Sequence, residues 1–278
     1  MTQQENQVKA NNNNDSRAEI LEQGDIYFFY RPKKGAEEVR GIEDVRRFFM
    51  VTAPEEQENN SKKNRLYRLF IIGKKSLPEI RETEARASER YWARVGGIFK
   101  DPNELTKELL SDEFRKGDAA RPVGEGKYAI VKHQNHAELA YILEMPNEPG
   151  EAQNELGIEK EASYIISVIN PKKPAASSIP TGGSYPSTEE IPMYPEEVLK
   201  EFNDSDIFVS LARNTKLIDY QNAQIILIGA REGRDVIKSE IGIEIAESSQ
   251  ENSADIFNKL KLRKDQVPIR PLTEGKLE

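Results

Sequence analysis

The sequence predicts an α+β fold, a mixed and largely antiparallel sheet with flanking helices, with room for two related lobes. Three observations predict it. Short segments rich in aromatic and β-branched residues recur along the chain and read as strands. They are separated sometimes by a tight turn and sometimes by a stretch of helical periodicity, which is not the regular alternation of βαβ winding. Residues 139–159 also align without gaps on residues 224–244, AYIL against IILI and ELGIE against EIGIE, the echo expected of two related pieces.

The elements follow in order. Residues 1–22 are dominated by Gln, Asn and Glu, with a run of four Asn, and such a tail cannot bury apolar area, so disorder is expected there. Order is expected from Gly24. Residues 25–31 (DIYFFYR), 44–52 (DVRRFFMVT) and 66–73 (LYRLFIIG) have strand character, and Ile71 of the third is expected in the core. Ile80, Ala87, Tyr91 and Val95 fall at helical spacing, predicting a helix over 80–95, with strand the alternative for 91–95. Asp101-Pro102 opens a second helix, with Asp as N-cap and Pro at the first helical position. The charged, glycine-containing stretch 112–126 is the natural division between lobes.

Residues 127–133 and 136–144 flank Gln134-Asn135 and read as a β-hairpin. A short helical turn at 151–156 closes at Gly157, and 162–170 is a strand. Residues 171–195 hold six of the fifteen prolines and form a long loop. A helix at 196–202, strands at 207–211 and 223–229, and a last helix from Ser253 complete a core over 23–265. Residues 266–278 read as a tail.

Composition bounds the chemistry. The absence of cysteine excludes disulfides, thiolate metal sites and cysteine nucleophiles. The N-terminal stretch lacks the apolar segment of a signal peptide, and no run approaches the length of a membrane span, so a cytoplasmic protein without a membrane partner is expected. The net charge of −8 opposes a nucleic-acid partner. That charge is unevenly spread: residues 62–100 carry eleven Lys and Arg against four Glu, and residues 138–162 carry seven Glu against one Lys. The two stretches either neutralise one another or leave the first open to a protein or a small anionic ligand.

Motifs are sparse. Only His133 and His136 can serve as neutral-pH bases. A two-residue turn would set them opposite one another, with Glu138 on the face of His136, and two imidazoles with a carboxylate suit a zinc or iron site. No fourth ligand stands out, so neither a metal nor a cofactor is expected. Gly73-Lys74-Lys75-Ser76 ends like a phosphate-binding loop but lacks its first glycine, since Arg68 holds that position. Gly124-Glu125-Gly126 precedes a strand where a dinucleotide fingerprint would follow one, and Asp204 and Asp206 read as an ordinary turn. The basic turns remain as binding candidates: Arg31, Lys33 and Lys34 after the first strand, Lys74 and Lys75 after the third. Tyr67, Phe70, Tyr91, Trp92 and Phe99 lie among cations, yet their apolar surroundings make them core residues.

EDVRRFFMV (43–51), RLYRLFIIGKKSLPE (65–79), GEGKYAIVKH (124–133) and ELGIE (155–159) together resemble an uncharacterised family of prokaryotic proteins of this size, over most of residues 24–262. The resemblance implies no activity and no site residues. The expected function is a non-catalytic binding or protein-interaction module. The alternative is a metal-dependent hydrolase using His133, His136 and Glu138.

Overall fold

In the computed structural model the strands pair into a barrel rather than an open sheet. The structure describes residues 19–36, 38–55, 65–80, 90–110, 119–133, 135–173, 191–230 and 255–278. The strands are β1 (Glu19–Pro32), β2 (Val45–Pro54), β3 (Tyr67–Ile72), β4 (Tyr91–Phe99), β5 (Arg121–His133), β6 (His136–Met145), β7 (Glu161–Ile169), β8 (Phe208–Ser210) and β9 (Gln224–Ala230). Eight of them run β6-β5-β1-β2-β3-β4-β9-β7, and a β6–β7 pairing closes the ring; β8 is an extra strand on β7. Every pairing is antiparallel.

The expected α+β sheet with flanking helices, and its division into two related lobes, are therefore wrong. Closure gives every strand of the ring two neighbours, which removes the edges an open sheet would have to protect. Within the stretch 112–126, β5 starts at Arg121 and runs through the wall. The helices among the described residues are short: α1 (Pro102–Leu110), α2 (Glu151–Glu155), α3 (Glu196–Leu199), α4 (Ile256–Lys259) and α5 (Arg270–Thr273). The helix expected over 80–95 is strand β4 from Tyr91 onward, and residues 81–89 lie outside the described residues. Order starts earlier than Gly24, since β1 begins at Glu19. The segment read as a tail packs as well, burying Val267 and Leu272. The expected hairpin is present, with His133 opposite His136 across β5 and β6.

Strand alternation sorts side chains to two cores. Inward go Ile26, Phe28, Tyr30, Phe48, Met50, Phe70, Ile72, Tyr128, Tyr141 and Tyr164, all buried in one cluster. Phe28 stacks on Phe48 with centroids 6.2 Å apart and tilts against Tyr141 at 5.1 Å. An eight-stranded barrel has an interior just wide enough for side chains, and these rings fill it. Outward go Tyr27, Phe29, Phe49, Val51, Tyr67 and Leu69, covered by Leu105 and Leu109 of α1 and by Ile256, Leu260, Leu262 and Leu272 of the C-terminal segment. Ile71, expected in the core, is half-buried and packs against this outer layer, while its neighbours Phe70 and Ile72 point inward.

Both ends of the barrel are closed. At the end where β1 begins, the loop after β8 brings Leu211, Leu217 and Ile218 over the core, and Asn222 N–H donates to Val95 O at 2.8 Å. At the other end the fully buried Gln153 of α2 clamps three segments. Its amide nitrogen donates to Val123 O and Pro271 O at 2.7 and 2.8 Å, and its Oε1 accepts Gly150 N–H at 2.9 Å.

Candidate functional site

Alternation splits neighbouring polar residues of β1, β5, β3 and the residues leading into β3 between the two faces of one stretch of wall. Glu22, Arg68 and Tyr128 go inward, while Asp25, Arg65 and Lys127 go outward. The inner group is an ion-pair network at the closed mouth. Arg68, 2% exposed, grips Glu22 with two bonds of 2.6 and 2.9 Å and donates from Nε to Asp219 Oδ1 at 2.6 Å. Tyr128 OH donates to Glu22 at 2.8 Å. Burial raises the Asp219 carboxyl above its ordinary range, with Arg68 pulling it back.

The outer group lines an open cleft of about 580 Å³ between the wall and the helical layer. Its lining is Asp25, Glu55, Arg65, Tyr67, Lys100, Pro102, Lys127 and Lys259, four cations to two carboxylates. Asp25 is 3% exposed, and three of the cations converge on it. Arg65 donates to Asp25 Oδ2, and Lys127 Nζ and Lys259 Nζ lie 2.7 and 3.2 Å from its Oδ1. Lys127 faces Asp25 across the β1–β5 ladder, so strand register sets that pair. Arg65 also donates to Ala53 O at 3.0 Å and lies over the Tyr67 ring. The exposed Lys100 has no ion pair among the described residues. Glu55 accepts a hydrogen bond from Gln23. Behind the cluster the buried Tyr27 hydroxyl has no hydrogen-bond partner among the described residues.

Burial alone would raise the Asp25 carboxyl, but the charges of Arg65, Lys127 and Lys259 outweigh it and lower it to about 2. A depressed folded pKa contributes stability that is present above the unfolded value of 3.8 and lost as pH falls towards about 2. Urea unfolding is expected to show about 2 kcal/mol less acid-induced loss in Asp25→Asn than in the unaltered chain, over about pH 5 to 2. Identical acid limbs would contradict this assignment.

The other candidates lie elsewhere. Arg31 is 3% exposed and donates to Glu108 O and Leu109 O, at 3.0 Å each, at the C-terminal end of α1. There a cation meets the helix's unsatisfied carbonyls. Lys33 and Lys34 are exposed in the turn after β1. Lys74 and Lys75 are half-buried rather than exposed: Lys74 Nζ sits 4.0 Å from the Tyr91 ring centroid, and Lys75 has φ 65°. His133 and His136 face each other on the outer wall with ring centroids 5.8 Å apart. His136 Nε2 is 3.0 Å from Glu138 Oε1, and the buried Ser163 hydroxyl donates to Glu138 Oε2 at 2.6 Å. Glu138 thus separates the serine from the imidazole, whereas a nucleophile–base pair needs them in contact. Among the described residues no three His, Asp or Glu gather as metal ligands.

Two cations of the basic stretch 62–100 are answered from outside residues 138–162. Its Arg65 and Arg68 pair with Asp25 and Glu22 of β1 and with Asp219. Sequence reasoning missed the cleft because its members are far apart in the chain. The available signal was Asp25, a lone acid leading the aromatic run DIYFFYR into a strand.

Compared with protein families, with curated proteins and with solved structures, the chain matches none, and no family match supports the resemblance drawn from the sequence. No described helix is long and apolar enough to cross a membrane.

Proposed function

We propose that this protein is a cytoplasmic, non-catalytic binding module that takes a small anionic ligand in the cleft around Asp25. The observation that carries the reading is the convergence of Arg65, Lys127 and Lys259 on one buried carboxylate, with Lys100 beside them at an open rim. The cleft falls within the roughly 300–1,000 Å³ of small-molecule sites. Its cations are pre-organised by Asp25, so a ligand anion would meet donors already held in place. Among the described residues, aromatic side chains fill the barrel interior. Asp25 is held ionised and ion-paired, which suits a structural counter-ion better than a proton donor or acceptor.

The test is calorimetric titration of the full chain with sulfate and with citrate. Both are expected to bind, and to bind about tenfold more weakly when added salt shortens the screening length. Lys100→Glu, at an exposed position, is expected to weaken binding at least as much without changing the unfolding midpoint. The reading fails if neither anion binds, or if binding ignores both salt and that substitution.

A further inference from the structure

We propose that residues 255–278 form a strap that completes the cleft by delivering Lys259, and that the Glu125 carboxylate is the releasable tie coupling strap docking to anion binding. The inference rests on reading the cleft as an anion site. Glu125 projects outward from β5 and is 4% exposed. Its Oε1 accepts Asp255 N–H and its Oε2 accepts Ile256 N–H, both at 2.8 Å. Those are the first amides of α4, a helix of four residues. A single turn does not hold itself in water, so its start depends on the wall it docks against.

One turn further, Lys259 reaches Asp25 in the cleft and lies 3.4 Å from Asp255 Oδ2. The rest of the strap is fastened separately. Ile256, Leu260, Leu262, Val267 and Leu272 bury on the outer wall, and Thr106 donates to Leu260 O. Ala152 N–H donates to Gly275 O at 2.8 Å, beside the Gln153 bond to Pro271 O. The cleft end of the strap can therefore lift while the far end stays clamped to α2.

Release is set by the surroundings of Glu125. Burial pushes its carboxyl up to about 7; the Asp255 and Ile256 amides pull it down, the charge of Glu144 on β6 pushes it up, and Lys259 pulls it down. The other groups around it are Tyr27 on β1, Lys127 on β5 and Asp255 on the strap, while Arg270 and Glu274 of α5 pair with each other in the open. A docked value above the ordinary 4.5 means that docking takes up a proton. Docking is then strongest below about pH 4.5 and weakens as pH climbs through about 7, where a buried charge must be carried. Lys259 would leave the cleft along with the strap.

The test is hydrogen exchange of the full chain, read as protection factors so that intrinsic rates cancel, at about pH 5.5 and 8. Protection of the amides from Ile256 to Leu262 is expected to fall about tenfold or more at the higher pH relative to β5 and β6, and to lose that fall in Glu125→Gln. Added sulfate, whose charge is constant over this range, is expected to restore protection at the higher pH in the unaltered chain but not in Lys259→Met. Equal protection at both pH values, or the same fall in Glu125→Gln, overturns the tie. Sulfate binding that is unchanged in Lys259→Met overturns the coupling while leaving the cleft as an anion site. If sulfate does not bind the unaltered chain, the coupling falls, and the anion reading falls with it when citrate does not bind either.

Discussion

Replacing Arg68 with Met is expected to lower the free energy of unfolding by about 3–5 kcal/mol, the usual cost of removing one partner from a buried ionic network. Two carboxylates, Glu22 and Asp219, would be left without their cation at the closed mouth of the barrel. The network need not contribute much as it stands, since taking the guanidinium out of water offsets its attractions; the cost arises from orphaning its partners. Arg68→Lys is expected to rescue only in part, because one ammonium cannot reproduce the paired bonds to Glu22 and the Nε bond to Asp219. The penalty is expected to shrink at acid pH, because the stranded Asp219 carboxyl, already raised by burial, can take up a proton. A loss under about 1 kcal/mol at neutral pH in urea unfolding would show that the network carries little.

The second large effect separates two neighbours. Phe70→Ala is expected to cost about 3–5 kcal/mol, because it empties a ring-sized volume inside a filled barrel. Ile71→Ala is expected to cost under about 2 kcal/mol, since its side chain is half-buried against the outer layer. Equal losses at the two positions, measured by urea denaturation, would mean that the inward and outward faces of β3 are misassigned.

That pair also shows how far the sequence could be read. The strands were legible from local composition, and the hairpin from two strand-like runs flanking Gln134-Asn135. The face of each strand was less so: LYRLFII is apolar on both sides because both cores need it, so alternation gave no single buried face. Closure was not legible, because the pairings of β4 with β9 and of β7 with β9 join segments far apart in the chain. The spacing of Ile80, Ala87, Tyr91 and Val95 suggested a helix, and β4 shows that those last residues serve a two-residue repeat, with Ala93 and Val95 inward. The internal echo pairs segments of β6 and β9, but its second half lies outside the described residues.

The candidate site was legible only as a bias. The excess of cations over residues 62–100 contains Arg65 and Lys100, yet Lys127 and Lys259 come from elsewhere and Asp25 from the first strand. Arg31 had the right chemistry for an anion but is committed to the carbonyls of α1, and Lys74 to the face of Tyr91. A charge that looks available in sequence is often already answered by the fold. What marks the cleft is a carboxylate answered three times over.

The central claim, that the cleft around Asp25 is the binding site, is tested most directly by following backbone amide resonances of the full chain while citrate is added. The account predicts saturable shifts concentrated at Asp25, Arg65, Lys100, Lys127 and Lys259, with those at His133, His136 and Glu138 unmoved. Shifts centred on the His133–His136 hairpin tip, or none at any concentration, would contradict it.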